Sequence, residues 1–371
     1  MSYRTLSIVL AGGGTGGHLS PGIAVAQEFV CRNSKNRILF IGTDRPMEKT
    51  MLSKAGFEHQ IIAAEGFMGR GMWQQVSSVM KAPKAVVQSM GMLKTFETDL
   101  VVGVGGYSAG PVILGAWLLG IKRVLHEQNI LPGMTNRMLA PFAHRIYISF
   151  EQTRTYFNSS KVMVTGNPIR SEFLVYIHRM NQANKNGDKE KGPFTVVITG
   201  GSQGAHRLNM VMIEALQHIQ KKEDFFFIHQ TGTEDETMVR QAYQRYGISS
   251  RVQPFFNDMA AQYQAADLVI CRAGATTISE VTAMGKGVLF IPYPFHGDAH
   301  QVLNARMLEE SGAADMILQE ELSGRMLIEK IEYYASHLDE LREMAGKARS
   351  FGRVDAATAI VDDCYRLFEP R

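Results

Sequence analysis

Twice in this chain an apolar run ends in a cluster of glycines and opens onto a helix-like stretch. Leu6–Ala11 runs into Gly12-Gly13-Gly14-Thr15-Gly16-Gly17-His18, and Phe194–Thr199 runs into Gly200-Gly201-Ser202-Gln203-Gly204-Ala205. A strand that turns through glycines into a helix is the start of a βαβ unit, and such units build a parallel sheet with helices on both faces. Around the first turn, Arg37–Gly42, Leu100–Gly103, Arg123–His126, Arg145–Ser149 and Val162–Thr165 read as further strands. Around the second, Phe225–His229, Arg251–Gln253, Leu268–Cys271 and Val288–Ile291 do the same. The expectation is an α/β protein of two doubly wound parallel-sheet domains facing a central cleft, because such sheets bind ligands beyond the carboxyl ends of their strands.

The 371 residues suffice for about two domains. Expected boundaries are 1–165 and 193–353, with 166–192 as linker, since Asn181–Lys191 (NQANKNGDKEK) is polar and charged. An amphipathic helix at about 354–371 has no partner legible in the sequence, and packing back on the first domain is the expectation carried forward. A formal charge of +3 is too small for a nucleic-acid surface. Three distant cysteines without a CxxC exclude a disulfide framework and point to a reduced, cytoplasmic setting. The longest apolar stretch, Pro111–Ile121, falls short of the ~20 residues that span a bilayer. Attachment to a membrane surface stays open: Gly66–Lys94 carries Arg70, Lys81, Lys84 and Lys94 among Phe67, Met68, Trp73 and other apolar residues, with no acidic residue. A solvated helix with an apolar core side explains that stretch equally well.

Several loops carry chemistry. The first glycine turn contains GxGxxG, which places backbone N–H groups and a helix N-terminus against a pyrophosphate. Asp44, after the second strand, keeps a dinucleotide reading alive, as an acidic residue there holds a ribose. His18, at the edge of the turn, suits a general base. The second turn adds the Ser202 hydroxyl for a phosphate. Arg272-Ala273-Gly274-Ala275-Thr276-Thr277-Ile278-Ser279-Glu280 follows a strand and opens a helix, with hydroxyls near its positive end and Glu280 placed to take ribose hydroxyls. His296 and His300 lack the glutamate of a helical metal pair, so Asp298, His300, Gln301 and Asn304 read better as sugar contacts. His126-Glu127-Gln128-Asn129 and Gly105-Gly106-Tyr107-Ser108 end two strands of the first half.

In this order, GGTGGH at 13–18, GGYSAGP at 105–111, HEQN at 126–129, GNPIR at 166–170, GGSQGA at 200–205, 272–280 and HQVLNA at 300–305 resemble the MurG family of glycosyltransferases. The resemblance spans residues 8–305. It implies a GT-B fold and an inverting transfer of N-acetylglucosamine from UDP-N-acetylglucosamine to the C4 hydroxyl of the muramic sugar on undecaprenyl-pyrophosphate, turning lipid I into lipid II in peptidoglycan synthesis. It implies no metal cofactor, a peripheral position on the cytoplasmic face of the bacterial inner membrane, contact with anionic lipid, and cell-wall synthesis proteins as partners. Carried over residue by residue, it puts Thr15, Gly16, Gly17, Asn129, Arg170, Ser202, Phe256, Ala275, Thr276, Thr277, Ile278, Ser279, Glu280, His300, Gln301 and Asn304 at the donor. The Phe255–Met259 backbone would read the uracil. Gly13, Gly14, Gly105, Gly106, Tyr107 and Ser108 face the acceptor, and His18 or Glu127 is the base. The chain departs from the family at Gly66-Phe67-Met68-Gly69-Arg70-Gly71, where GLRGKG is common, and in its longer polar insert at 181–191.

Other readings compete. Another UDP-sugar transferase with a lipid acceptor, such as a galactolipid synthase, shares the donor motifs. A UDP-sugar epimerase of similar fold leaves HEQN and GGYSAGP without purpose. An NAD-dependent oxidoreductase explains the first turn and Asp44 but not the second turn or 272–280. A non-catalytic nucleotide-binding module predicts UDP binding without turnover.

Overall fold

The structure is a computed structural model that describes residues 3–14, 16–62, 72–157, 160–183, 192–294 and 299–369, with the backbone alone for 72–82 and 181–183. Its contacts divide the chain into two units. Unit 1 joins Met1–Arg170 to Arg353–Arg371, and unit 2 is Ser171–Gly352.

Unit 1 opens with β1 (Ser7–Gly12), α1 (Gly16–Arg32), β2 (Arg37–Gly42), α2 (Pro46–Ala55) and β3 (Glu58–Ile61). It continues through α3 (Met72–Thr95), β4 (Leu100–Gly105), α4 (Ala109–Leu118), β5 (Lys122–Glu127), α5 (Met134–Leu139), β6 (Arg145–Ile148) and β7 (Val162–Val164). Among the described residues the strands form one parallel sheet in the order β3-β2-β1-β4-β5-β6-β7. Side chains alternate between two buried faces, as a sheet with helices on both sides requires. Ile8, Leu10, Val102 and Val104 enter one core with Phe29 of α1, while Val9, Ala11, Val101 and Leu125 enter the other with Val112 and Ile113 of α4.

Unit 2 begins with α6 (Ser171–Ala183), β8 (Phe194–Thr199), α7 (His206–Leu216), β9 (Phe225–Gln230), α8 (Glu236–Tyr246), β10 (Ser250–Gln253) and α9 (Met259–Ala265). There follow β11 (Leu268–Cys271), α10 (Ala275–Met284), β12 (Gly287–Phe290), α11 (His300–Glu310), β13 (Asp315–Met316), α12 (Gly324–Ser336) and α13 (Leu338–Phe351). The described strands run parallel in the order β10-β9-β8-β11-β12-β13.

The chain then returns to unit 1 as α14 (Ala356–Arg366). Ile360, Val361, Cys364 and Tyr365 join the core beside Phe29, and the Tyr365 hydroxyl accepts from Asn36 Nδ2 at 2.7 Å. Asp363 accepts from the Tyr147 hydroxyl and from Arg145 Nε, each at 3.1 Å.

Three local expectations change. The stretch expected as linker contains α6, whose Phe173 and Ile177 are buried, and only its later part reads as polar insert; residues 184–191 lie outside the described set. The sequence pattern places the first helix at Pro21–Val30, whereas α1 starts at Gly16 and so includes His18; two glycines and the interior Pro21 disguise its first turn. The edge strands β3 (EHQI) and β13 (two residues) are too short and polar to stand out in the sequence.

Candidate active site

In both units strand order reverses at one place, between β1 and β4 in unit 1 and between β8 and β11 in unit 2. Loops diverge there, leaving a crevice at the strands' carboxyl ends where α/β proteins bind ligands. The glycine turns leave from β1 and β8, GGYSAGP leaves from β4, and 272–280 leaves from β11. The four motifs therefore meet in pairs at the two reversal points.

In unit 1 the backbones touch. Gly13 donates its N–H to the Gly105 carbonyl at 3.3 Å, and a Cβ at Gly106 would overlap the Gly13 carbonyl. His18, half-buried, packs on this junction: a Cβ at Gly105 would lie 2.9 Å from its Cδ2 and 3.2 Å from its Nε2. Beside it, His126 is buried, accepting from Gln128 Nε2 at Nδ1 and facing the Gly166 carbonyl with Nε2. Burial pushes the His126 imidazolium down to about 4, the bond to Gly166 opposes this, and nearby His18 adds to the depression.

Glu127 is also buried. Its carboxylate accepts from the Asn129 N–H at 2.9 Å, the Gly133 N–H at 3.0 Å and Asn136 Nδ2 at 2.9 Å, so it brackets the loop after β5. Burial raises its pKa, and these hydrogen bonds oppose the rise. Asn136, missed in the sequence, also donates to the His126 carbonyl at 3.0 Å. Tyr107 is exposed, whereas Ser108 has no exposed surface.

Glu48 was likewise missed. Fully buried, it accepts from the Gly14 N–H at 2.5 Å and the Thr43 N–H at 2.8 Å, while Arg45 holds the Gly14 carbonyl. Asp44, on which the dinucleotide reading leaned, is a solvent-exposed partner of Lys49 at 2.5 Å. A pyrophosphate at this turn would need the Gly14 N–H that Glu48 occupies, and would meet a carboxylate. That chemistry opposes the dinucleotide reading.

In unit 2 the second turn rises to an exposed Ser202, and Gly201 takes φ 91°, with open space where a side chain would stand. Thr276, Thr277 and Ser279 are half-buried on α10; Ser279 Oγ donates to the Ala275 carbonyl at 2.9 Å, and Glu280 is buried. Ile278 is buried, and its N–H donates to the Gly274 carbonyl at 2.9 Å. Arg272, given no role from the sequence, is a strut: Nη1 donates to the Ile291 and Pro292 carbonyls and Nη2 to Gln319 Oε1 at 2.6 Å. Asn304, expected at the donor, has no exposed surface, and its Nδ2 donates to the Ala273 carbonyl at 3.4 Å. Phe256 is also buried and its N–H is bound to Gln230 Oε1; the exposed aromatic of that segment is Phe255. Gln301 Oε1 accepts from the Tyr293 N–H at 3.0 Å, and His300, half-buried, starts α11. Asn129 and Arg170 are half-buried at the end of unit 1's loops, and Gly16 and Gly17 open α1. Thr15, His296, Asp298 and the 66–71 stretch lie outside the described residues.

Among the described residues no group of three or more His, Cys, Asp or Glu is placed to hold a metal, and no helix is long and apolar enough to cross a membrane. Trp117 and Leu118 of α4 are exposed, 46% and 57%, while Arg123, at the start of β5, is buried and donates to the Ile121 carbonyl.

Residues 8–148 match the model of the glycosyltransferase family 28 N-terminal domain and residues 195–360 that of its C-terminal domain. The chain is 44% identical over 364 residues to the UDP-N-acetylglucosamine–N-acetylmuramyl-(pentapeptide) pyrophosphoryl-undecaprenol N-acetylglucosamine transferase of Syntrophus aciditrophicus, covering 98% of this chain and 99% of that protein. It is 43% identical over 362 residues to the same-named protein of Geotalea uraniireducens, covering 97% and 98%. Among solved structures, MurG of Acinetobacter baumannii superposes with a TM-score of 0.77 at 30% identity, over 97% of this chain and 99% of that one. A UDP-GlcNAc 2-epimerase of Neisseria meningitidis bound to UDP-GlcNAc gives 0.67 at 14% identity over 98% and 100%, a likeness of fold alone.

Proposed function

Because this chain belongs to the MurG family within glycosyltransferase family 28, we propose that it transfers N-acetylglucosamine from UDP-N-acetylglucosamine to N-acetylmuramyl-(pentapeptide) pyrophosphoryl-undecaprenol, lipid I, to give lipid II of peptidoglycan. The observation that carries this reading is the meeting of the family's motifs at the two points of strand reversal, on a chain that matches its relatives over nearly all its length.

Unit 2 takes the donor. Ser202 and the amides beside Gly201 face the diphosphate, the start of α10 adds its positive end, and Glu280 takes the ribose. Phe255 and the backbone after it take the uracil. Unit 1 takes the acceptor sugar through the Gly105–Tyr107 loop, with His18 beside it. The reaction is a single displacement: the C4 hydroxyl oxygen bonds to the anomeric carbon, the bond from that carbon to UDP breaks, and the configuration inverts. His18 accepts the hydroxyl proton. Its half-exposed ring favours it over Glu127, whose oxygens already hold a loop together. The charge developing on UDP is met by fixed donors, which stabilise it most when they need no rearrangement.

No divalent ion is required, since helix dipole and hydroxyls supply the countercharge. Exposed Trp117 and Leu118, with Lys84 and Lys94, are the membrane-facing contacts that would hold the protein at the lipid's surface. Transfer of labelled N-acetylglucosamine to a short-chain lipid I analogue in the presence of EDTA tests the reading. Product is expected. Product only after adding magnesium would overturn the metal-free step, and no product in either case, with UDP still bound, would point to another acceptor.

A further inference from the structure

Gln230 ends β9 and is 3% exposed. It lies level with Thr199 on β8 and with Gln253 on β10, so its side chain stands between the loops that leave those two neighbours. Its Oε1 accepts from the Phe256 N–H at 2.9 Å, and its Nε2 donates to the Gly201 carbonyl at 2.9 Å and to Thr199 Oγ1 at 3.2 Å. An N–H only donates and a carbonyl only accepts, so these partners fix the amide's orientation. Thr199 Oγ1 also accepts from the Gly201 N–H at 3.2 Å, which ties the start of the turn to the same point. Below, a Cβ at Gly204 would overlap the Thr231 carbonyl, so the glycine turn also rests directly on the backbone that follows Gln230.

We infer that Gln230 is a positioning residue that fixes the span between the Gly200–Gly204 turn and the Phe255–Phe256 segment, so that a nucleoside diphosphate is held at both ends as one ligand. The inference rests on the reading that unit 2 takes a uridine diphosphate sugar. Gln230 itself is too buried to touch that ligand. Two sites joined through one ligand reinforce each other only when their separation is held at the ligand's own span. Without the bridge, each loop keeps its own strand but their separation varies. The whole nucleotide then loses more than the nucleoside does.

Gln230→Glu keeps the shape but sets an acceptor against the Gly201 carbonyl, and Gln230→Met removes all three bonds. Both are made in the full chain. Calorimetry with UDP and with uridine is combined with kcat and KM for both substrates and with melting curves. Losing such a bridge raises the Kd of UDP and the KM of UDP-N-acetylglucosamine about tenfold, the scale of one or two buried hydrogen bonds. The UDP-to-uridine affinity ratio falls, while kcat and the acceptor KM hold. Wild-type UDP affinity in a variant that is folded overturns the inference. Equal losses for UDP and uridine also overturn it, since Gln230 would then support the base segment alone. If Gln230→Met fails to fold, the isosteric Gln230→Glu decides. Failure of the unaltered chain to bind UDP would overturn the underlying reading, and is visible before any variant is made.

Discussion

At the scale of single residues, His18 and Glu127 sit close in sequence logic and far apart in environment. His18 is half-buried on the Gly105 junction, whereas Glu127 is enclosed and bonded to two backbone amides and Asn136. Removing a general base lowers the rate by about 100-fold or more. His18→Ala is therefore expected to cost that much in kcat with little change in melting temperature. Glu127→Gln places an amide donor among donors, so it is expected to lower the melting temperature and to reduce kcat by roughly tenfold through loop displacement. Steady-state rates read beside melting curves check both; a rate loss in Glu127→Gln as large as in His18→Ala, with unchanged melting, would move the base to Glu127. His18, Ser202 and Glu280 stood out as candidates because they lie in glycine turns or near helix starts. Glu48 and Gln230 did not, because each works through backbone atoms of loops distant in sequence. Gln230 did leave a trace, a polar residue closing an apolar strand.

At the scale of elements, most strands were visible as short β-branched runs, since a sheet buried on both faces leaves continuous apolar segments. What could not be read was which face α14 would cover, because an amphipathic helix declares its own apolar side and not its partner. The structure sets Ile360 and Cys364, both fully buried, against α1. Ile360→Ala removes most of a buried side chain and is expected to destabilise unit 1 by about 3 kcal/mol. Urea unfolding followed by a unit 1 probe tests it; a change below about 0.5 kcal/mol would mean that α14 contributes little.

At the scale of the whole molecule, each unit encloses a histidine that stays neutral: His126 in unit 1, pushed by burial down to about 4, and His229 in unit 2, pushed down to about 3. Both folded values lie below the unfolded value of about 6.5, so the favourable contribution is complete above that pH and is lost as pH falls toward 4 and 3. Each such histidine costs roughly 1.4 kcal/mol per pH unit within its window. Glu127, raised by burial, acts with the opposite sign, because its penalty is relieved on protonation. Stability is expected to decline in both units between pH 6.5 and about 4, and chemical denaturation at several pH values checks this; a flat profile would contradict the buried, neutral histidines.

Unit 1 is interrupted by unit 2 in the chain, so unit 1 cannot close until unit 2 has been made and α14 has followed it. While the ribosome is still producing unit 2, the α1 surface around Phe29 lacks its cover, and unit 2, a continuous stretch, can close ahead of it. During synthesis the chain thus holds an open apolar surface that only α14, beyond unit 2, covers.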